Sequence, residues 1–438
     1  MHIRIIVLAV AALCAAPVTL AAQGPSARGD TFDLARAVAV ARVANPRVTS
    51  AAAGVDAATA RIRPAGALPD PTLTLGAMNY MLPSLSAARD PLSMNQVTVM
   101  QMLPVNGTLG LRRTVARFDS TRVAYRRDAV VLEVEREARS RYWDLYHIDR
   151  ALEIMDRTLT VLRELSNVAT TMYAVGTTVQ SDVIRSQVAI TRMRQEIEEM
   201  RLQRFTAASA LNAVLGRAGE MPIVLIAPAA HEGHDPTLRV LDTPPLPLLD
   251  SLVALAEQHN PEIAEARAMA DGARTNETAV RRMIYPDLGL GVSYGQRPGS
   301  NDMLSAMVSV SVPVLARSRQ FRMRDEARAM RTGSEEDLRA MRLAVRSMLA
   351  TAYAEAETAR RQVALYAGSL VPQSVASYEA AIAAYRVGRV DFPTALDAQM
   401  ALLTYQHDLH RYEAMYGTAV AEIDRLIGRP FAAPAANR

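Results

Sequence analysis

The chain has 438 residues, half of them apolar, a formal net charge of +4 and one cysteine. So small a charge argues against a nucleic-acid partner, and one cysteine excludes intrachain disulfides and thiolate metal clusters. All 49 basic positions are arginine, as genome composition alone would give, and the low aromatic content (5%) beside abundant Ala, Arg, Glu, Leu and Met favours long helices.

Residues 1–22 read as a secretory leader. Arg4 supplies the positive start, Ile5 to Ala16 form an apolar run too short to span a bilayer, and Leu20, Ala21 and Ala22 offer a cleavage site before Gln23. Cys14 lies inside this leader behind Leu13, whereas a lipoprotein signal needs a small residue there. The mature chain is then cysteine-free. No later stretch of 18 apolar residues appears, so insertion in a membrane would have to use β-strands.

A first unit is expected over residues 23–216. After a short leading helix, a hairpin is predicted over about 72–103. Thr72 to Leu75 alternate in character after Pro69-Asp70-Pro71, and Gln96 to Val99 alternate before Pro104. Period two with small or polar residues on one phase marks a strand wetted on one face, and the length suits a tilted membrane strand. Residues 111–175 then contain neither glycine nor proline, enough for a helix of roughly 100 Å. Apolar residues recur there in steps of three and four from Val131 to Tyr173, interrupted at Arg141 and Ser166. That heptad is a coiled-coil seam or the buried face of a bundle; either gives a rod. The pattern breaks at the tip near 173–178 and resumes from Val183 to Leu211.

Residues 217–247, rich in proline, read as an irregular linker. His231, Glu232, His234 and Asp235 cluster there; they form a weak divalent-metal site or a solvated loop. A second unit is expected over 248–428, with a hairpin at about 287–312, a long helix in which Pro372 predicts a kink or break, a tip near 385–391 and a returning helix. Residues 429–438 form a tail.

The two units repeat each other. Asn45-Pro46 returns as Asn260-Pro261. Tyr173, Val175 and Gly176 return 212 residues later as Tyr385, Val387 and Gly388, and Leu211 to Gly216 returns at the same offset as Ile423 to Gly428. Four strands cannot close a membrane barrel, and open edges in lipid cost several kcal/mol per unpaired group. The chain must therefore oligomerise: two copies give eight strands, filled by their own side chains, and three give twelve, with room for a lumen.

The leader, the duplicated order of helix, hairpin and long helical pair, and the Tyr-x-Val-Gly turn in each copy together resemble the TolC family of outer-membrane efflux proteins, from about Thr31 to Gly428. The resemblance implies a mainly α fold with a β-barrel part: a homotrimer whose four strands per chain make a twelve-stranded barrel in outer-membrane lipid, above a periplasmic α-barrel. It implies a passive, non-enzymatic duct, without cofactors, coupled through a periplasmic adaptor to an inner-membrane pump. Tyr173, Val175, Gly176, Tyr385, Val387 and Gly388 match the adaptor-docking tips; a tight turn with no docking role is the alternative. Asp397 falls where the family carries an aspartate ring, although a solvated helix face accounts for it equally. Asp182 and Tyr385 match a pair that hydrogen-bonds across the closed tip. Val390 replaces the gating arginine of the best-known member, with Arg389 adjacent, and Thr394 replaces a second aspartate.

Methionine is the one hint of cargo. Met78, Met100, Met102 and Met307 share the phase of Thr72, Thr98 and Ser309. If that phase faces the lumen, thioethers line it, and soft sulfur suits Cu(I) or silver; similar methionine-rich first hairpins occur in family members attached to heavy-metal pumps. Methionine as flexible filler is the other reading. Drug efflux and type I secretion remain open within the family, and a soluble periplasmic coiled-coil scaffold or adaptor is the alternative outside it. The remaining histidines, His147, His259, His407 and His410, show no nucleophile partner, so no enzyme is expected.

Overall fold

The structure is a computed structural model that describes residues 30–83, 90, 92–226 and 246–430. The leader and the His231–Asp235 cluster lie outside these residues. The first half contains β1 (Asp30–Phe32), α1 (Leu34–Ala44), α2 (Pro46–Ala60), α3 (Ile62–Ala65), β2 (Thr72–Met78), β3 (Met94–Leu103), α4 (Thr108–Ala174), α5 (Gln180–Val214) and β4 (Ile223–Leu225). The second contains α6 (Leu249–His259), α7 (Pro261–Arg282), β5 (Asp287–Gln296), β6 (Met303–Ser311), α8 (Gln320–Leu365), a π-helical turn at Tyr366–Leu370, α9 (Val371–Arg386) and α10 (Phe392–Ile427). The stretch free of glycine and proline becomes α4, a single helix of 67 residues.

Pro372 does not break its helix. Its ring would meet the carbonyl four residues back, at Gly368, and it offers no N–H. The π turn ahead of it widens the coil at that place, so the helical backbone continues unbroken from α8 into α9. The stretch expected as an irregular linker contains β4, which pairs in parallel with β1. Three residues are too few to show a periodicity.

The halves are closed in the same way. Asn45 caps α2 through Arg47 N–H and donates to the Val214 carbonyl at the end of α5 at 2.9 Å. Asn260 caps α7 through Ile263 N–H and donates to the Leu426 carbonyl at the end of α10 at 2.8 Å. Both asparagines are buried. Gly216 and Gly428 have positive φ, and each presses on a carbonyl just before its asparagine, that of Ala44 or His259, where a Cβ would collide. The duplicated Asn-Pro and Leu/Ile-x-x-x-x-Gly signals are thus the two sides of one contact, made twice.

Within the halves, α4 packs against α5 and α8 against α7 and α10; between them, α4 packs against α7 and α10. The indole of Trp143 on α4 lies flush on Gly417 of α10. Nearby, Arg425 reaches Glu262, Glu422 and Glu133, and Arg136 pairs with Glu133. Burial alone would raise the Glu133 carboxyl, but the hydrogen bond and charge of Arg136, with Arg425 and Arg47, outweigh it and hold the group below its usual range. Separate apolar clusters fill the rod along its length.

Candidate functional site

The strands form one antiparallel sheet in the order β2-β3-β5-β6. Directly paired residues share a face, and the register sorts the faces by chemistry. One carries Leu73, Leu75, Val97, Val99, Leu290, Val292, Tyr294, Leu304 and Val308, all exposed. The other carries Thr72, Thr74, Gln96, Thr98, Ser293, Ser305 and Ser309, the glycines of β5, and Met78, Met94, Met100, Met102, Met303 and Met307. An apolar belt beside a small, polar face is the pattern of a sheet with lipid on one side and water on the other. Among the described residues β2 and β6 are unpaired edges.

On the polar face the methionines lie over bare backbone. Met94 and Met102 of β3 face Gly295 and Gly289 of β5, and their sulfurs stand 2.7 and 3.1 Å from where a Cβ would be. Met100 covers Gly291 from one side and Met307 from the other. Met78, Met303 and Met307 keep exposed surface.

At the far end of the helices both tips close with the same hydrogen bonds. Gly176 N–H donates to Tyr173 and Thr177 N–H to Met172; Gly388 N–H donates to Tyr385 and Arg389 N–H to Ala384. This Schellman pairing needs a left-handed residue, supplied by Gly176 (φ 76°) and Gly388 (φ 71°). Among the described residues nothing but the immediate neighbours comes within 4 Å of a Cβ built at either glycine. Val175 and Val387 are each 68% exposed. Both turns therefore present a bare, apolar surface.

Behind the turns the halves diverge. Tyr173 is 46% exposed while Tyr385 is 1% exposed and packs edge-on against Phe392. Burial, then the charge of Asp182, raises the Tyr385 phenol. The hydroxyl has no hydrogen-bond partner among the described residues. The buried Asp182 accepts instead from Thr178 at 2.5 Å, so the expected bond between Asp182 and Tyr385 is not formed here. In the second half Asp391 caps α10 by accepting from the N–H and hydroxyl of Thr394; these bonds, with Arg185 nearby, hold its carboxyl below the usual range. Arg389 and Asp397 are exposed. At the 212-residue offset the counterpart of Asp397 is Arg185, also exposed.

The sequence reading passed over a contact between His147 on α4 and His407 on α10, whose Nε2 atoms are 3.1 Å apart. The two lie 260 residues apart and are not equivalent positions in the repeat, so spacing carries no signal for them. Among the described residues no group of three or more His, Cys, Asp or Glu is arranged to hold a metal ion, and no helix is long and apolar enough to cross a membrane.

Two faces of unlike polarity and a rod of paired helices fit one subunit of a membrane β-barrel protein with a long helical extension. The chain belongs to the Outer membrane efflux protein family, whose sequence profile matches residues 37–217 and again 252–429. Solved channels share its fold. The chain resembles CusC at TM-score 0.75 and 17% identity, covering 90% of this chain and 92% of that one. It resembles VceC from Vibrio cholerae at TM-score 0.74 and 16% identity, covering 91% and 97%, and the outer-membrane channel OprN at 0.74 and 16%, covering 90% and 89%. Comparison with curated protein sequences gives no match. The protein is a non-enzymatic efflux channel of the outer membrane that extends into the periplasm.

Proposed function

We propose that three copies close a twelve-stranded barrel and a periplasmic helical tunnel, forming the passive exit duct of a tripartite pump. The observation that supports this most strongly is the pair of open edges. Strand direction alternates across β2, β3, β5 and β6, so β6 of one copy meets β2 of the next antiparallel, as closure requires. Lipid cannot satisfy those edges, and three copies give a bore wider than an eight-stranded barrel allows.

The tips around Tyr173, Val175, Gly176, Tyr385, Val387 and Gly388 dock a periplasmic adaptor, which links the duct to an inner-membrane pump. Their paired hydrogen bonds, bare glycines and exposed valines support this reading. Asp182, Tyr385, Arg389 and Asp397 form the gate, and the unpartnered Tyr385 hydroxyl is its reserve donor. The gate differs from the best-known member in that Thr394 serves the Asp391 cap.

For cargo we favour soft metal ions such as copper or silver, because six methionines share the water-facing side of the sheet and three keep exposed surface. Drug efflux is the second reading. It is favoured by Met94 and Met102, whose sulfurs are occupied in covering glycine. Deleting the gene in a strain without other ducts, then testing copper, silver, zinc and antibiotics, separates the two. Metal sensitivity supports the first reading; unchanged metal tolerance with increased drug sensitivity rejects it and leaves the duct in place.

A further inference from the structure

His147 and His407 meet where α4 of the first half lies along α10 of the second. Their ring centroids are 4.8 Å apart, with planes at 61°. Both are half-buried, and the His407 side chain keeps 30% of its surface, so ions from solvent can reach the pair. Two nitrogens bound to one tetrahedral ion at about 2.0–2.1 Å stand roughly 3.3 Å apart. The observed 3.1 Å between the Nε2 atoms is within a few tenths of an ångström of that spacing.

We propose that His147 and His407 bind a divalent d-block cation of the zinc or nickel class, with water completing the coordination, and so staple the two halves of one chain together. This site lies in the helical rod, apart from the methionine face of the sheet, and its existence does not depend on the duct's cargo.

The surroundings suit imidazole ligation. A metal takes the neutral ring. Burial, then the facing His407, pushes His147 down to about 4, and burial lowers His407 as well. Both rings are therefore uncharged at neutral pH. Asp408 Oδ1 lies 3.9 Å from His407 Nδ1, the nitrogen the ion would leave free. At that distance the carboxylate is no hydrogen-bond acceptor for the ring, but its charge favours a cation on the pair. The neighbouring polar side chains are engaged with one another. Arg411 is held by Asp408 at 3.0 Å, and His410 Nδ1 by Glu413 at 2.8 Å. The competing account of the contact is one N–H···N bond between neutral rings, with no ion.

Trp143 gives a direct readout, because it is the chain's one tryptophan. It sits one turn before His147 and packs edge-on against Tyr146 with centroids 5.4 Å apart. We expect Ni(II) or Cu(II), added to the full chain in detergent, to quench its fluorescence saturably, with Zn(II) competing and a chelator restoring the signal. His147→Gln and His407→Gln should each weaken this binding about tenfold or more. The double variant His231→Gln/His234→Gln should bind as the parent does. Zn(II) should also raise the melting temperature of the parent but of neither single variant. Quenching unchanged in both single variants, or lost in the double variant, overturns the proposal. In the parent alone, Zn(II) should protect both rings from diethylpyrocarbonate; unprotected rings overturn it without recourse to any variant.

Discussion

At the scale of single residues, the glycines of the repeat do two different jobs. Gly176 and Gly388 supply a left-handed turn in open space, whereas Gly216 and Gly428 supply the same φ with a carbonyl pressed against them. Alanine should therefore cost about 1 kcal/mol at each tip, from the backbone alone. It should cost about 3 kcal/mol at Gly216 or Gly428, where a clash is added. Thermal melts of the four variants in detergent test that order, and equal losses would contradict it. Asn260→Ala removes a cap and leaves the Leu426 carbonyl buried without its partner; we expect a loss of about 2–3 kcal/mol, and a similar loss for Asn45→Ala. These residues were legible because turn chemistry is local and the sequence states it twice. The partner of each asparagine was not legible, because no periodicity joins residue 45 to 214.

At the scale of elements, the length of α4 and the strands could be read because periods of 3.6 and 2 persist over many residues. The π turn could not, since it is the answer of the backbone to Pro372 and leaves no pattern of its own. Packing of α4 against α10 also sets a pH dependence. The folded pKa of His147, about 4, lies below the unfolded value of about 6.5. Between these values the unfolded chain binds the proton more readily, so stability falls as pH drops through that window. The depressed Glu133 carboxyl adds to the loss at the acid end, since its contribution is present above the unfolded carboxylate value and fades below it. With a chelator present, the melting temperature should be flat above pH 7 and fall steadily from pH 6.5 to 4. His147→Gln should flatten the upper part of that slope; an unchanged slope would show that the ring titrates as freely folded as unfolded.

At the scale of the whole molecule, closure of the sheet edges between copies can be trapped chemically, because the one cysteine, Cys14, belongs to the expected leader. Cysteine pairs placed at Thr72 or Thr74 on β2 and Ser305 or Ser309 on β6 sit on the same face at opposite edges of the sheet. Under oxidation some pairs should yield ladders ending at a trimer in denaturing gels. Monomer alone across the whole panel would reject edge-to-edge closure. The need for partners was readable from strand number and the shared face of the methionines from alternation, but their seat on the β5 glycines was not, because it depends on cross-strand register.

The two asparagine locks are each formed and closed within one half. A polypeptide carrying one half alone would keep its own closure, and six copies of it would supply what the proposed three copies supply. A single-unit ancestor therefore needs no new contact to become this chain, only a fusion between residues 226 and 246. After fusion the two units were free to drift apart, as Tyr173 and Tyr385 or Arg185 and Asp397 have done, and a ring once uniform in sixes could become specialised in threes.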